Sequence, residues 1–243
     1  MKRVLIFTFL AVFCGSLWSA DFSMSTGTGG LVGGLFTRYK ANSSSGSGEM
    51  TQDVNQFNYG GLVFFDATYV ELAVIIQAGA NNYNEVMSNN DSMIPMSGDG
   101  WETMLGLSLL GKYPFTLTKK FSLFPLLGID YQITLQQRRR PNDGLVYNRT
   151  DGMYADVDKD NKPYSLSVWN SFWINVGVGT DFFVAKRIFL RGELLYGFRL
   201  MTSYESDGLA KMKVMLNDSD PKLGGLTSGP SLRLSAGYRF MGT

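Results

Sequence analysis

The chain has 243 residues, with 22 Lys and Arg against 21 Asp and Glu, 14% aromatic residues, 28 Gly, one Cys and no His. Past the N-terminus nothing approaches the roughly 20 consecutive apolar residues of a spanning helix, which excludes a helical membrane protein, and the near-neutral balance excludes a global basic field for nucleic acid. Without histidine, the serine triad, thiol–histidine pairs and histidine-ligated zinc are all lost together.

Residues 1–20 read as an export signal: the cations Lys2 and Arg3, an apolar core from Val4 to Phe13, and small residues Ser19 and Ala20 at the exit. Trp18 makes that exit imperfect. Cys14 lies in this segment and leaves a lipoprotein as the second reading, against which stands Phe13, too large for an ordinary lipobox. Cleavage after Ala20 leaves residues 21–243 as one domain with no cysteine and therefore no disulfide.

From Phe22 to Tyr39 a first strand is predicted, with so many glycines in TGTGGLVGGLF that its faces are ambiguous. A phosphate-binding glycine loop is the rival reading, but no Gly-Lys-Ser or Gly-Lys-Thr follows. Ala41 to Asn55 is predicted as a loop. Gln56 to Asp66 and Tyr69 to Asn81 form a hairpin pivoting near Ala67, with Phe57, Tyr59, Val63, Phe65, Val70, Leu72, Val74 and Ile76 on its apolar face. Asn82 to Asp99 is polar and predicted as a loop. Trp101 to Phe115 and Phe121 to Gln137 join through Thr118-Lys119-Lys120, and Arg138 to Leu166 is predicted as the longest loop. Ser167 to Val184 and Ile188 to Ser203 join at Ala185-Lys186-Arg187, and a further loop runs from Tyr204 to Thr227. The chain then closes on Ser231 to Phe240, SLRLSAGYRF, where Leu232, Leu234, Ala236, Tyr238 and Phe240 alternate with Ser231, Arg233, Ser235, Gly237 and Arg239.

Eight strands, joined alternately by tight turns and long connections, predict an all-β fold: an eight-stranded antiparallel transmembrane β-barrel with short periplasmic turns and long extracellular loops. Aromatic residues gather near both strand ends, as interfacial girdles do. A soluble barrel of lipocalin type is the rival, because alternation alone does not say which face is inside. The charges argue for the membrane form. In the last six strands Glu71, Glu102, Lys112, Asp130, Asp181, Arg191, Glu193, Arg199, Arg233 and Arg239 all fall on the polar face, and no charge falls on the apolar face between the girdles.

These ten residues are the candidate lining of the lumen, with Phe124 and Leu126 among the apolar groups beside them. A turn at Ala185 to Arg187 sets Asp181 opposite Arg191 and leaves Glu193 diagonal to Arg233. Ion pairing is the expected role of the inward carboxylates rather than acid–base chemistry, so no enzyme and no cofactor is expected. Two loop features have sharper readings. Asp156, Asp158 and Asp160 begin like a calcium loop, but Asn161 replaces the glycine and Ser167 the bidentate glutamate, so a solvated acidic loop stands beside that reading. Arg138-Arg139-Arg140 either contacts the anionic surface of an outer membrane or stays in water as a charged strand end.

The export signal, the alternation and the closing SAGYRF resemble small eight-stranded bacterial outer-membrane proteins of the OmpX, OmpA-barrel and OmpW kinds. The resemblance implies outer-membrane lipid as surroundings, and the barrel assembly machinery as a partner that reads Tyr238 and Phe240 at the closing strand. It also implies two functions: an OmpW-like narrow channel for small hydrophobic solutes, with Pro125 marking a sideways exit, or a plugged OmpX-like protein acting through its loops on a host surface component.

Overall fold

The computed structural model describes residues 22–42, 48–89, 92–143, 145–148, 153–156, 164–166, 169–202 and 222–241. The export signal with Cys14, together with Asp158 and Asp160, lies outside these residues. Asp156 ends a short strand, Met153–Asp156, paired with Leu145–Asn148, and its side chain is likewise outside the description.

Eight long strands stand as staves around a closed ring: Met24–Asn42, Gly48–Ala67, Val70–Asn89, Ser92–Lys112, Phe121–Asp143, Trp169–Phe183, Ile188–Thr202 and Lys222–Met241. Each is antiparallel to the next, and the eighth pairs with the first, so no long edge is left open. Paired residues followed around the ring from Phe124 run through Gly179, Glu193, Arg233, Leu31, Gly60, Gln77 and Met104 and return to the fifth stave at Thr134, ten residues further on. That stagger tilts the staves and makes a barrel just wide enough for side chains to fill.

The apolar faces point outward. Val63, Leu72, Val74, Ile76, Leu107, Leu127, Val178, Leu190, Leu194 and Leu234 are all exposed. Phe57, Tyr59, Trp101 and Phe198 flank this belt on the loop side, and Phe65, Phe115, Phe182, Tyr238 and Phe240 on the turn side. A water-soluble exterior does not carry a continuous belt of this kind between two aromatic rings; lipid requires one.

The staves run further than hydrophobic alternation indicates. Residues 48–55, 82–89 and 92–99, expected as loop, are strand, and the fourth and fifth staves stay paired as far as Ser97 and Asp143. Arg138, Arg139 and Arg140 thus lie in strand rather than at the start of a loop, opposite Trp101, Gly100 and Asp99. The eighth stave likewise begins at Lys222, not Ser231. Beyond the lipid both faces meet water, the contrast between them vanishes, and the backbone ladder persists without a sequence signal.

The first stave, ambiguous in sequence, has Gly27, Gly29 and Gly33 inside and Thr26, Thr28 and Gly30 outside. The fourth stave ends at Lys112. After Tyr113 and Pro114 the chain resumes as a short strand, Phe115–Thr118, that pairs only with the turn end of the fifth. At the tight turn between the second and third staves Thr68 takes a φ of 47° and is tied to the N-terminal start by its amide, which donates to the Ser23 carbonyl at 3.0 Å.

Candidate functional site

Register alone assembles the turn-side half of the lumen. Three inward phenylalanines each face an inward glycine across a strand pair: Phe64 opposite Gly27, Phe124 opposite Gly179, and Phe189 opposite Gly237. A Cβ on these glycines would lie 2.5, 2.1 and 2.3 Å from the respective ring, so each ring lies flat where only hydrogen can stand. The three rings converge on one side chain. The Arg191 guanidinium lies 4.8 Å from the Phe64 ring centre, 5.0 Å from that of Phe189 and 5.4 Å from that of Phe124. Desolvated cation–ring contacts of this kind contribute about 2 kcal/mol each.

Within that cage every donor edge of Arg191 meets a carboxylate. Nε and Nη2 donate to Asp181 at 2.7 and 2.8 Å, Nη2 also lies 2.6 Å from Asp66, and Nη1 donates to Glu71. Lys112 donates to Asp66 and stands over one of the same three rings, 4.7 Å from the centre of Phe124. Arg191 is 3% exposed and Glu71 1%, so the cluster is dry. Arg239 shares a strand-to-strand row with Asp66 through Ser25 and lies over the Phe183 ring at 4.3 Å. The expected pairing of Asp181 with Arg191 is therefore direct. Asp66, absent from the sequence-derived set, is the residue that joins Lys112 to Arg191. Its parity with Leu62 and Phe64 was the available signal, hidden by its place at the hairpin end.

Above the cage lies an apolar layer. Leu110, Phe124, Leu126 and Leu195 form one buried cluster, and Leu31, Leu62, Phe64, Ala73, Ile75 and Phe189 another. Phe124 and Leu126 are thus inside, packed at 1% and 2% exposure.

From Glu193 toward the loops the lumen is built differently. Glu193 stands directly opposite Arg233, not diagonal to it, yet the Arg233 ion pair runs across the lumen to Asp130 at 3.1 Å, and Glu193 Oε1 has no hydrogen-bond partner among the described residues. The strand pair places Glu193 and Arg233 side by side, but the long guanidinium reaches inward to the carboxylate that needs it. Gln56 links Glu102 to Asn58, and Gln52 donates to Glu85 at 3.3 Å. Arg199 donates to the Tyr39 hydroxyl and lies over the Tyr39 and Trp173 rings at 5.5 and 5.8 Å. A chamber of about 50 Å³ remains between Asp130, Asn175, Trp173 and Arg233, and into this level fall Asp130 Oδ1 and Asn175 Nδ2, neither with a protein partner among the described residues.

No known family model matches the chain, and neither does any curated protein. Among solved structures it is similar to the outer membrane protease OmpT of Escherichia coli, at 11% identity and a TM-score of 0.47 over 90% of this chain and 97% of that one. It is also similar to the outer membrane protein OprG of Pseudomonas aeruginosa, at 11% and 0.43 over 91% and 97%. A third is the Neisserial surface protein A, at 17% and 0.32 over 86% and 95%. The ring closure, the lipid-facing belt between two aromatic girdles and the filled polar interior carry the conclusion: the chain is a small eight-stranded β-barrel of the bacterial outer membrane.

Proposed function

We propose that this barrel is sealed and non-enzymatic, and that it acts at the cell surface through the strand ribbons and connections of its loop side. The observation that carries the reading is the Arg191 cage with the apolar layer above it. Together they fill the turn-side lumen with three carboxylates, two cations and four rings, and a narrow gap beside them dewets rather than conducts. The chamber of about 50 Å³ holds one or two waters and lies far below the several hundred Å³ of an ordinary small-molecule pocket. A chain without histidine has no triad base, and within the cage Asp66, Glu71 and Asp181 are engaged by Arg191 and Lys112, which suits ion pairing rather than proton transfer.

In planar bilayers the purified protein is expected to give small or sporadic currents. Large, stable, voltage-independent channels would overturn the reading. Surface labelling of tags at Lys119 or Lys186 on intact cells would reverse the orientation, which places the tight turns in the periplasm.

One observation favours the OmpW-like reading as the second. Between the fourth and fifth staves the ladder lapses from Lys112–Leu126 to Phe115–Leu123, and this gap holds Pro114 on one side and Pro125 on the other, two residues without an N–H. That seam would let a small hydrophobic compound leave sideways into lipid. If it does, Phe124→Asp lowers uptake of such a compound while the barrel stays folded; unchanged uptake leaves the sealed reading in place.

A further inference from the structure

The outer face of the first, second, third and eighth staves has a second site, unrelated to the lumen. Registers place Leu226, Arg38, Asp53 and Asn84 in one row across these four neighbours, next to a row of Ser228, Phe36, Asn55 and Asn82. The row on the membrane side of these is Gly34, Phe57, Ala80 and Trp101, part of the loop-side girdle. The step from apolar to polar thus falls between two adjacent rows, at the level where lipid chains give way to headgroups. At this step the wall is concave and encloses a groove of about 990 Å³.

Its chemistry suits a sugar phosphate. Phe36, 56% exposed, offers a ring at the foot of the groove. Asn55 and Asn84 supply carboxamides that donate and accept, and Asp53 a carboxylate. Arg38 and Lys40 supply the positive charge. Both cations are held in place by acids, Arg38 by Asp53 at 2.7 Å and Lys40 by Glu49 at 2.8 Å, with their side chains 76% and 54% exposed. Exposed pairs of this kind are worth little, so an entering phosphate meets oriented donors that are cheaply redirected. On the eighth stave the groove is walled by Gly224, where a Cβ would have nothing within 4 Å, so the space stays open. Below the groove the first stave presents Gly34, Val32, Gly30, Thr28 and Thr26 outward, a track of mostly small residues beside which acyl chains can lie.

We propose that this groove binds the phosphorylated saccharide headgroup of a glycolipid in the leaflet that the loop side faces. The inference rests on the membrane placement and not on whether the lumen is sealed. Full-length protein reconstituted in vesicles of phosphatidylethanolamine and phosphatidylglycerol, with a minor fraction of diphosphoryl lipid A, is released and weighed by native mass spectrometry. One retained lipid A per barrel is expected. Arg38→Gln with Lys40→Gln should lower that retention about tenfold relative to wild type, and Gly224→Leu and Asn84→Ala should each lower it while phosphatidylglycerol retention stays unchanged. Heat-modifiable gel mobility confirms that each variant is folded. Retention unaffected by all three changes, an equal loss of phosphatidylglycerol, or a dimer that buries this face in place of lipid would each overturn the proposal.

Discussion

The two halves of the lumen solve the same problem, polar groups inside a narrow barrel, in opposite ways. Toward the turns, charged side chains are packed between rings so that Arg191 contacts three carboxylates at once. Toward the loops, amides stand among the charged groups, Gln56 bridging Glu102 and Asn58 and Gln52 reaching Glu85, and Asp130 and Asn175 each keep an atom without a partner among the described residues. A caged cluster is all-or-none, because removing one member leaves charges in a dry medium. A chamber lined by amides and with room for water can exchange a protein contact for it. Rigidity therefore belongs to the turn side and adaptability to the loop side, the end that carries the proposed surface role.

The comparison predicts that the largest losses come from the cage. Arg191→Gln strands Asp66, Glu71 and Asp181 against one another and should cost about 3–5 kcal/mol in urea unfolding from lipid vesicles. Asp181→Asn in the same chain should recover part of that loss, and strictly additive losses in the cycle would show that the pair is not coupled. Next comes the glycine that makes room for a ring. Gly179→Val drives a side chain into Phe124 and should cost about 1–3 kcal/mol, with Phe124→Leu relieving much of it. A Gly179→Val barrel as stable as wild type would mean that the ring is free to move, and the seal would no longer follow from packing.

The loop-side half should respond weakly to equivalent changes. Asn175→Ala removes an amide whose Nδ2 has no partner, and its expected effect is within about 0.5 kcal/mol. A loss as large as that of Arg191→Gln would make the two halves equivalent.

Much of the cage was legible because a strand has a period of two. Once Leu232 and Leu234 are assigned to lipid, Arg233 is assigned to the lumen, and the three-residue turn at Ala185 to Arg187 sets Asp181 against Arg191 by counting alone. What counting does not supply is reach. Arg233 passes over its cross-strand neighbour Glu193 to pair with Asp130 from the fifth stave, a choice made by side-chain length and barrel curvature. Asp66 was missed for a related reason: a carboxylate at a hairpin end reads as a turn residue until the ring closes and brings Arg191 from the seventh stave to it. The groove at Arg38 was illegible altogether, since it depends on strands continuing through residues 48–55 and 82–89, where both faces are polar.

The smallest expected effect tests that outer rim. The Arg38 guanidinium hydrogen-bonds the Asp53 carboxyl and holds it below the usual carboxylate range, with slight burial opposing. A carboxyl lowered in the folded state contributes stability that is fully present above its unfolded value, about 3.9, and is lost as pH falls through the folded one. Asp53→Asn should therefore unfold slightly earlier than wild type at neutral pH, and the two should converge as the medium is acidified below pH 4. Because the Asp53 side chain is 40% exposed and that of Arg38 76%, salt should shrink the neutral-pH difference as well. A difference that persists unchanged in high salt and at low pH would mean that Asp53 holds the ribbon by some contact other than its charge, and the rim would then belong with the rigid half of the molecule.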